Sequence, residues 1–298
     1  MKYIDRKGNI TIEEKEPDKL LRYFYADRGG RLCLEILVRS FIFGFGERLF
    51  DSPLSRKRIP GFIKKHRIDR SEIQEESYHS FNGFLARKLK PGARPVSEGE
   101  KILISPCDGR GIVCRLGRDT EFYLKDTRYS LKSLLKNQKL AERFANGYGV
   151  FLRPSGEDSH RYFYPAEGEK SSTVCIPGTF SGHKKEDREN FPVLETCTRE
   201  YTLLKTRLFG TILIMEIGDL LAGRIHNLHK EPCHVDKGQE KGYFSLGGGA
   251  VALLFQPDKI RLDFDLIENS ENGYETIVKM GERIGEQKLS KRTGKTSR

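Results

Sequence analysis

Apolar residues fall at Leu34, Leu37, Val38, Phe41, Ile42 and Phe45, spacings of three and four that draw one stripe along a helix between Leu32 and Phe50. A helical pattern holds from about residue 20 to about Leu89, with breaks at Gly29-Gly30, Pro53 and Pro60-Gly61. Arg87 to Pro95 then reads as an extended linker, because residues before proline resist helix. Past Lys101 the period changes. Short apolar runs at Ile102 to Ile104, Gly111 to Cys114, Tyr148 to Leu152, Thr211 to Ile217 and Val251 to Phe255, separated by glycine-containing turns, predict strands. One helical insertion, Ser130 to Phe144, interrupts them. Residues 1 to about 20 are polar and charged, a short hairpin or a flexible lead. The tail from Lys288 to Arg298 carries five basic residues and no acid, which predicts disorder. The order of elements is therefore helices, then strands: an α+β fold with a helical N-terminal region and a β-rich body, not the alternation of a doubly wound sheet.

Composition narrows the partners. The chain has 298 residues, 37% of them hydrophobic and none of them tryptophan, and its mean hydropathy is −0.58. That length can bury a sizeable core. The uncharged run Ser40 to Gly46 is far short of the roughly 20 residues that a spanning helix needs, and Met1-Lys-Tyr-Ile-Asp lacks the apolar core of a secretory signal. A soluble or peripheral protein is expected. The six cysteines include no Cys-x-x-Cys pair, so reduced thiols are the simpler reading. His226 and His229 could share a helix face, yet no third ligand accompanies them, and no metal is expected. The net charge of +11 permits an anionic partner, either nucleic acid or phospholipid. No helix-turn-helix, RNP-like or Cys/His motif accompanies it, which argues against nucleic acid. Seven Lys or Arg residues stand against one Asp from Arg56 to Arg70. A basic segment after an amphipathic helix suits an anionic membrane, each surface cation contributing on the order of 1 kcal/mol; the same stripe could instead pack on the core.

The segment Lys241-Gly-Tyr-Phe-Ser-Leu-Gly-Gly-Gly-Ala-Val-Ala-Leu-Leu-Phe255, taken alone, is a glycine hairpin or bulge between two buried strands. Its glycines follow neither a Walker pattern nor a strand-to-helix phosphate turn, so nucleotide binding is not expected. Three other segments precede it: Ser80-Phe-Asn-Gly-Phe-Leu-Ala-Arg-Lys-Leu-Lys-Pro-Gly-Ala-Arg-Pro95, Ser105-Pro-Cys-Asp-Gly109 and Asp158-Ser-His-Arg-Tyr-Phe-Tyr-Pro165. Together, from about Arg22 to the Gly285 region, they resemble the phosphatidylserine decarboxylase family. Its motifs read Phe-Asn-x-Phe-Phe-x-Arg-x-Leu-Lys-x-x-x-Arg-Pro, Ser-Pro-x-Asp-Gly, Asp-Tyr-His-Arg-x-His and Gly-Tyr-Phe-x-x-Gly-Gly-Ser-Thr.

The resemblance implies a body like a barrel-sandwich hybrid and a pyruvoyl cofactor made from the chain itself. A serine hydroxyl attacks the preceding glycine carbonyl, and elimination leaves a pyruvoyl group that captures the substrate amine and accepts the electrons released with carbon dioxide. It assigns cleavage between Gly248 and residue 249. Gly249 stands where the serine should be and Ala250 where the threonine should be, so neither the nucleophilic oxygen nor the future methyl carbon exists. Ser245 lies four residues upstream of Gly249, after Phe244, and is assigned no rescue role. Asp108 fits the aspartate that orients the processing histidine, but Phe163 occupies that histidine's position. His160 matches the histidine associated with decarboxylation, as proton donor or substrate-positioning group. Without the family, Asp108 is an ordinary turn aspartate and His160 a surface loop histidine after Gly156.

Three expectations follow from the resemblance and its departures. The chain is a phosphatidylserine decarboxylase family protein that cannot self-process to the pyruvoyl form; alternatively, it is a non-catalytic phospholipid-binding or regulatory pseudoenzyme. Its partners are an anionic phospholipid membrane, a phosphatidylserine-like lipid and a second copy or an active paralogue, and it sits peripherally on the cytoplasmic face. Residues 1–95 form a helical, basic, membrane-facing region and linker, 96–287 the decarboxylase-like domain and 288–298 the basic tail.

Overall fold

Strands Thr211–Ile217 and Ala250–Phe255 are buried along their whole length, which explains why both are apolar at nearly every position, Thr211 and Glu216 excepted. Their side chains alternate between two cores. Ile212, Ile214, Val251, Leu253 and Phe255 enter one, while Leu213, Met215, Ile217, Ala252 and Leu254 enter the other. The pairing Ile212 with Phe255 and Leu213 with Leu254 keeps each set on its own face, and a one-residue slip would exchange them. The computed structural model describes residues 2–13, 48–75, 77–118, 121–124, 127–178, 197–218, 224–245 and 248–288. The predicted amphipathic helix from Leu32 lies outside these residues up to position 47, as do Gly29-Gly30 and the tail beyond Lys288.

The main sheet runs in the order Cys233–Val235, Gly168–Lys170, Arg199–Lys205, Thr211–Ile217, Ala250–Phe255, Gly147–Arg153, Gly109–Leu116, Glu275–Val278, Lys2–Ile4 and Ile10–Ile12, with Val174–Ile176 paired on Arg199–Lys205. All its pairings are antiparallel except Lys2–Ile4 with Glu275–Val278. One face is covered by a short hairpin, through Phe122 and Tyr129, and by helices Leu131–Leu135 and Gln138–Phe144. The other packs on two three-stranded sheets, Arg224–Asn227 with Glu240–Ser245 and Arg161–Phe163, and Ile260–Leu262 with Arg283–Gln287 and Ile102–Ile104. This is an α+β, sheet-rich body in which the described strands form no closed barrel.

Several boundaries depart from expectation for local reasons. Ser130 to Phe144 is two helices, because Lys136 is left-handed at φ 49° and Asn137 caps a new helix on the N–H of Leu140. Pro53 opens a 3-10 helix and Pro60 sits in the first turn of helix Ile59–His66 instead of breaking it, since that turn needs no proline N–H. Helix Phe81–Leu85 is capped by Ser80, whose hydroxyl accepts from Gly83 N at 3.1 Å. These N-terminal helices share a small core of Ile59, Ile68, Ile73, Phe81, Phe84 and Leu85. The strands of residues 2–12, by contrast, extend the main sheet.

Candidate functional site

The segment 155–163 brings the motifs together. Strand Arg161–Phe163 pairs with Glu240–Ser245, setting Tyr243 opposite Arg161 and Gly242 opposite Tyr162. Phe244 N–H donates to the His160 carbonyl at 2.9 Å, and His160 N–H donates to Leu85 O at 3.2 Å. His160 is therefore buried between the helical region and the strand that leads to the glycines, not a surface loop residue. Its Nε2 lies 3.2 Å from Ser155 O.

Asp158 fixes the turn that supplies this carbonyl. Its carboxylate accepts from Ser155 N at 2.9 Å and Ser155 Oγ at 2.7 Å, and from Lys279 Nζ at 3.0 Å. Burial opposes the charge, but Lys279 and the Ser155 bonds together hold this carboxyl below the usual range. Lys279, itself opposed by burial, is raised by Asp158. The sign follows: a carboxyl depressed in the fold stabilises above its unfolded value, about 3.9, and loses that contribution as pH falls through the folded value. Lys279→Gln is expected to cost about 1 kcal/mol at pH 7, discounted because Lys279 is partly exposed. Urea titrations at pH 7 and pH 3 check this; an undiminished gap between the two proteins at pH 3 would contradict it.

His160 and Gly248 line one cavity of about 320 Å³, with an apolar wall of Phe62, Phe81 and Leu85 and a polar edge at Ser155. Asp108 and Phe163 line a different one, of about 270 Å³. Asp108 is 2% exposed, and both its oxygens accept from Arg94 at 2.8–2.9 Å while Met280 N–H donates at 2.8 Å. Burial works against the Arg94 charge, yet the bonds to Asp108 and Glu72 raise its pKa. Gly109 instead opens strand Gly109–Leu116 with φ 156°, and a Cβ there would lie 2.7 Å from Arg153 O. So Asp108 shares its cavity with Phe163, whose ring accepts no proton, and His160 shares the other with Gly248.

Gly249 adopts φ +126°, and a Cβ built on it would stand 2.6 Å from Phe244 Cδ1 and 2.7 Å from Cε1. Side chains rarely adopt that backbone, and the Phe244 ring fills the space where one would begin. A pyruvoyl group needs a Cβ at this position, so the residues present do not fit it.

Some residues near the site carry little motif signal or none. Arg94 was legible only as a letter of the first motif, and Lys279 not at all. His226 is on strand Arg224–Asn227, not on a helix facing His229; its Nε2 lies 2.9 Å from Ser245 Oγ and its ring stacks on Tyr243. Lys241, which opens the glycine segment, is buried against Glu216 at 2.7 Å and donates to Asn227 Oδ1 at 2.6 Å. Burial pushes the Glu216 carboxyl up despite that lysine. Among the described residues no group of three His, Cys, Asp or Glu could hold a metal ion, and no helix is long and apolar enough to cross a membrane.

Comparison with known proteins gives one consistent answer. A family model described as phosphatidylserine decarboxylase matches residues 81–286. The phosphatidylserine decarboxylase proenzyme of Fusobacterium nucleatum is 34% identical over 97% of this chain and 98% of its own. That of Chlamydia caviae is 36% identical over 96% and 97%. A phosphatidylserine decarboxylase proenzyme 2 of Clostridium acetobutylicum is 34% identical over 93% and 95%.

Proposed function

Because the chain belongs to the phosphatidylserine decarboxylase family, we propose that it keeps the family's fold and lipid site but cannot make its own pyruvoyl group. The observation that carries this reading is Gly249: it has no hydroxyl, it has no Cβ, and Phe244 occupies the position a Cβ would take. The second absence is independent of the first. Phe163 cannot act as a base, and its cavity neighbour Asp108 is committed to Arg94. Intact-mass measurement tests the reading. The purified protein is expected as one species near 34.2 kDa, unchanged by hydroxylamine or by borohydride with an amine. Two fragments divided at Gly248-Gly249, with a carbonyl on the carboxy-terminal one, would sink it.

The lipid side of the proposal rests on surface chemistry. Leu54 is 72% exposed and Leu49 is 49% exposed, next to Arg56, Lys57, Arg58, Lys64 and Lys65 of the following helical turns. Apolar side chains beside a cluster of cations suit peripheral adsorption to the anionic cytoplasmic leaflet. The apolar wall beside His160 suits an acyl chain or glycerol backbone of a phosphatidylserine-like lipid. On this second reading the protein is a lipid-binding or regulatory pseudoenzyme, acting as a homo-oligomer or with an active paralogue. Co-sedimentation with phosphatidylserine vesicles, without carbon dioxide release, favours it; equal recovery with phosphatidylcholine vesicles argues against it.

A further inference from the structure

The Asp108–Phe163 cavity is strongly cationic for its size. Four cations, Lys88, Lys90, Arg94 and Arg161, face two carboxylates, Asp108 and Glu240. Arg94 is spent on Asp108 and Glu72, and Arg161 bonds Glu240 through Nη1 and the Ala86 carbonyl through Nε. Those pairs cancel, which leaves Lys88 and Lys90. Neither lysine has an ion pair with any described residue, and both are exposed at the rim of the cavity.

The backbone explains why both lysines border the cavity. Leu89 bridges Ile73, with Gln74 N–H donating to Lys88 O at 3.0 Å and Lys90 N–H donating to Glu72 O at 2.8 Å. In such an extended segment residues i and i+2 project to the same side. Arg161 and Gln74, whose side chains carry further N–H donors, also line the cavity. The volume of about 270 Å³ holds a phosphoryl group and several waters, each water taking roughly 30 Å³. Two ammonium groups suit the unesterified oxygens of a phosphoryl anion, monoester or diester, lysine binding phosphate as a point charge.

We propose that this cavity is a phosphate-monoester or phosphodiester site, with Lys88 and Lys90 as its principal ligands and Arg161 and Gln74 as secondary donors. It stands apart from the cavity of His160 and Gly248 and does not depend on whether the chain can cleave itself. The phosphate could be free in solution or belong to a lipid headgroup, and the experiment separates the two.

Calorimetric titration of the full-length protein with inorganic phosphate, at constant ionic strength in chloride, is expected to give saturable binding with Kd on the order of 1 mM. Lys88→Gln with Lys90→Gln is expected to weaken it about tenfold or more, since each removes a charge-assisted bond. Lys132→Gln with Lys139→Gln, exposed on the two helices that cover the other face of the main sheet, leaves it unchanged. Neither lysine of the cavity pair is buried, so the variant folds, as its melting temperature would verify. In the second arm, phosphate competes with phosphatidylserine vesicles if the headgroup enters the cavity; vesicle binding indifferent to phosphate assigns the site to a soluble phosphate. Absence of saturable phosphate binding, or equal binding by the Lys88/Lys90 variant and the parent protein, overturns the proposal.

Discussion

Gly249→Ser alone is expected to leave the chain uncut and to make it less stable. The substitution returns a hydroxyl but places a side chain at φ +126° with its Cβ 2.6 Å from the Phe244 ring. Left-handed strain costs about 1–3 kcal/mol, and overpacking against a buried ring adds a similar amount. Relief requires the backbone at 248–249 to turn or Phe244 to move, and Phe244 is buried among Tyr162 and the strands of one core. The serine would still lack a base, because Phe163, which shares a cavity with Asp108, has no basic atom. Adding Phe163→His and Ala250→Thr is expected to bring slow cleavage at 248–249, read as two masses in place of one. Cleavage by the single variant would show that the phenylalanine is no obstacle, and an uncut triple variant would show that the scaffold has departed further from the family than these positions.

Lys241→Met is expected to be among the most destabilising single substitutions away from the glycines. Lys241 is 1% exposed and Glu216 is 0% exposed, so removing the lysine leaves a buried carboxylate with only the Asn227 amide beside it. Breaking such a pair costs about 3–5 kcal/mol, which in a chain of this size lowers Tm by on the order of 5–10 °C. The deficit has a pH signature. Glu216 is an acid whose folded pKa lies above its unfolded value; the fold therefore retains a proton that the unfolded chain releases, and stability falls as pH rises from about 4. The variant is expected to approach the parent in mildly acidic buffer and to fall furthest behind near neutrality. Glu216→Gln in the same chain should restore most of the loss, because a neutral amide can still bond Asn227. A deficit that is flat with pH and persists in the double variant would mean that lysine packing, not the exposed charge, matters here.

The motifs marked strands, helices and candidate-site residues in the sequence, but in unequal ways. Ile102–Ile104 and Thr211–Ile217 were readable to the residue, since burial on both faces leaves most positions apolar. The insertion at 130–144 was readable as helical but not as two helices, because a left-handed Lys136 carries no compositional mark. Asp108 and His160 were visible as motif letters, whereas their partition into two cavities was not. Arg94, Lys279 and the Glu216–Lys241 pair depend on neighbours 14, 121 and 25 residues away in sequence, a separation at which no local pattern operates.

What the sequence by itself determined is the missing chemistry: glycine has no hydroxyl and no Cβ, and the phenylalanine side chain has no basic atom, in any fold. Only the tertiary structure decided that the Gly249 backbone is left-handed, that Phe244 fills the space a side chain would need, that Arg94 closes on Asp108, and that Lys88 and Lys90 border the cavity beside Phe163. Atom content belongs to each residue, whereas vacancy, charge balance and backbone hand are set by what the chain brings against it.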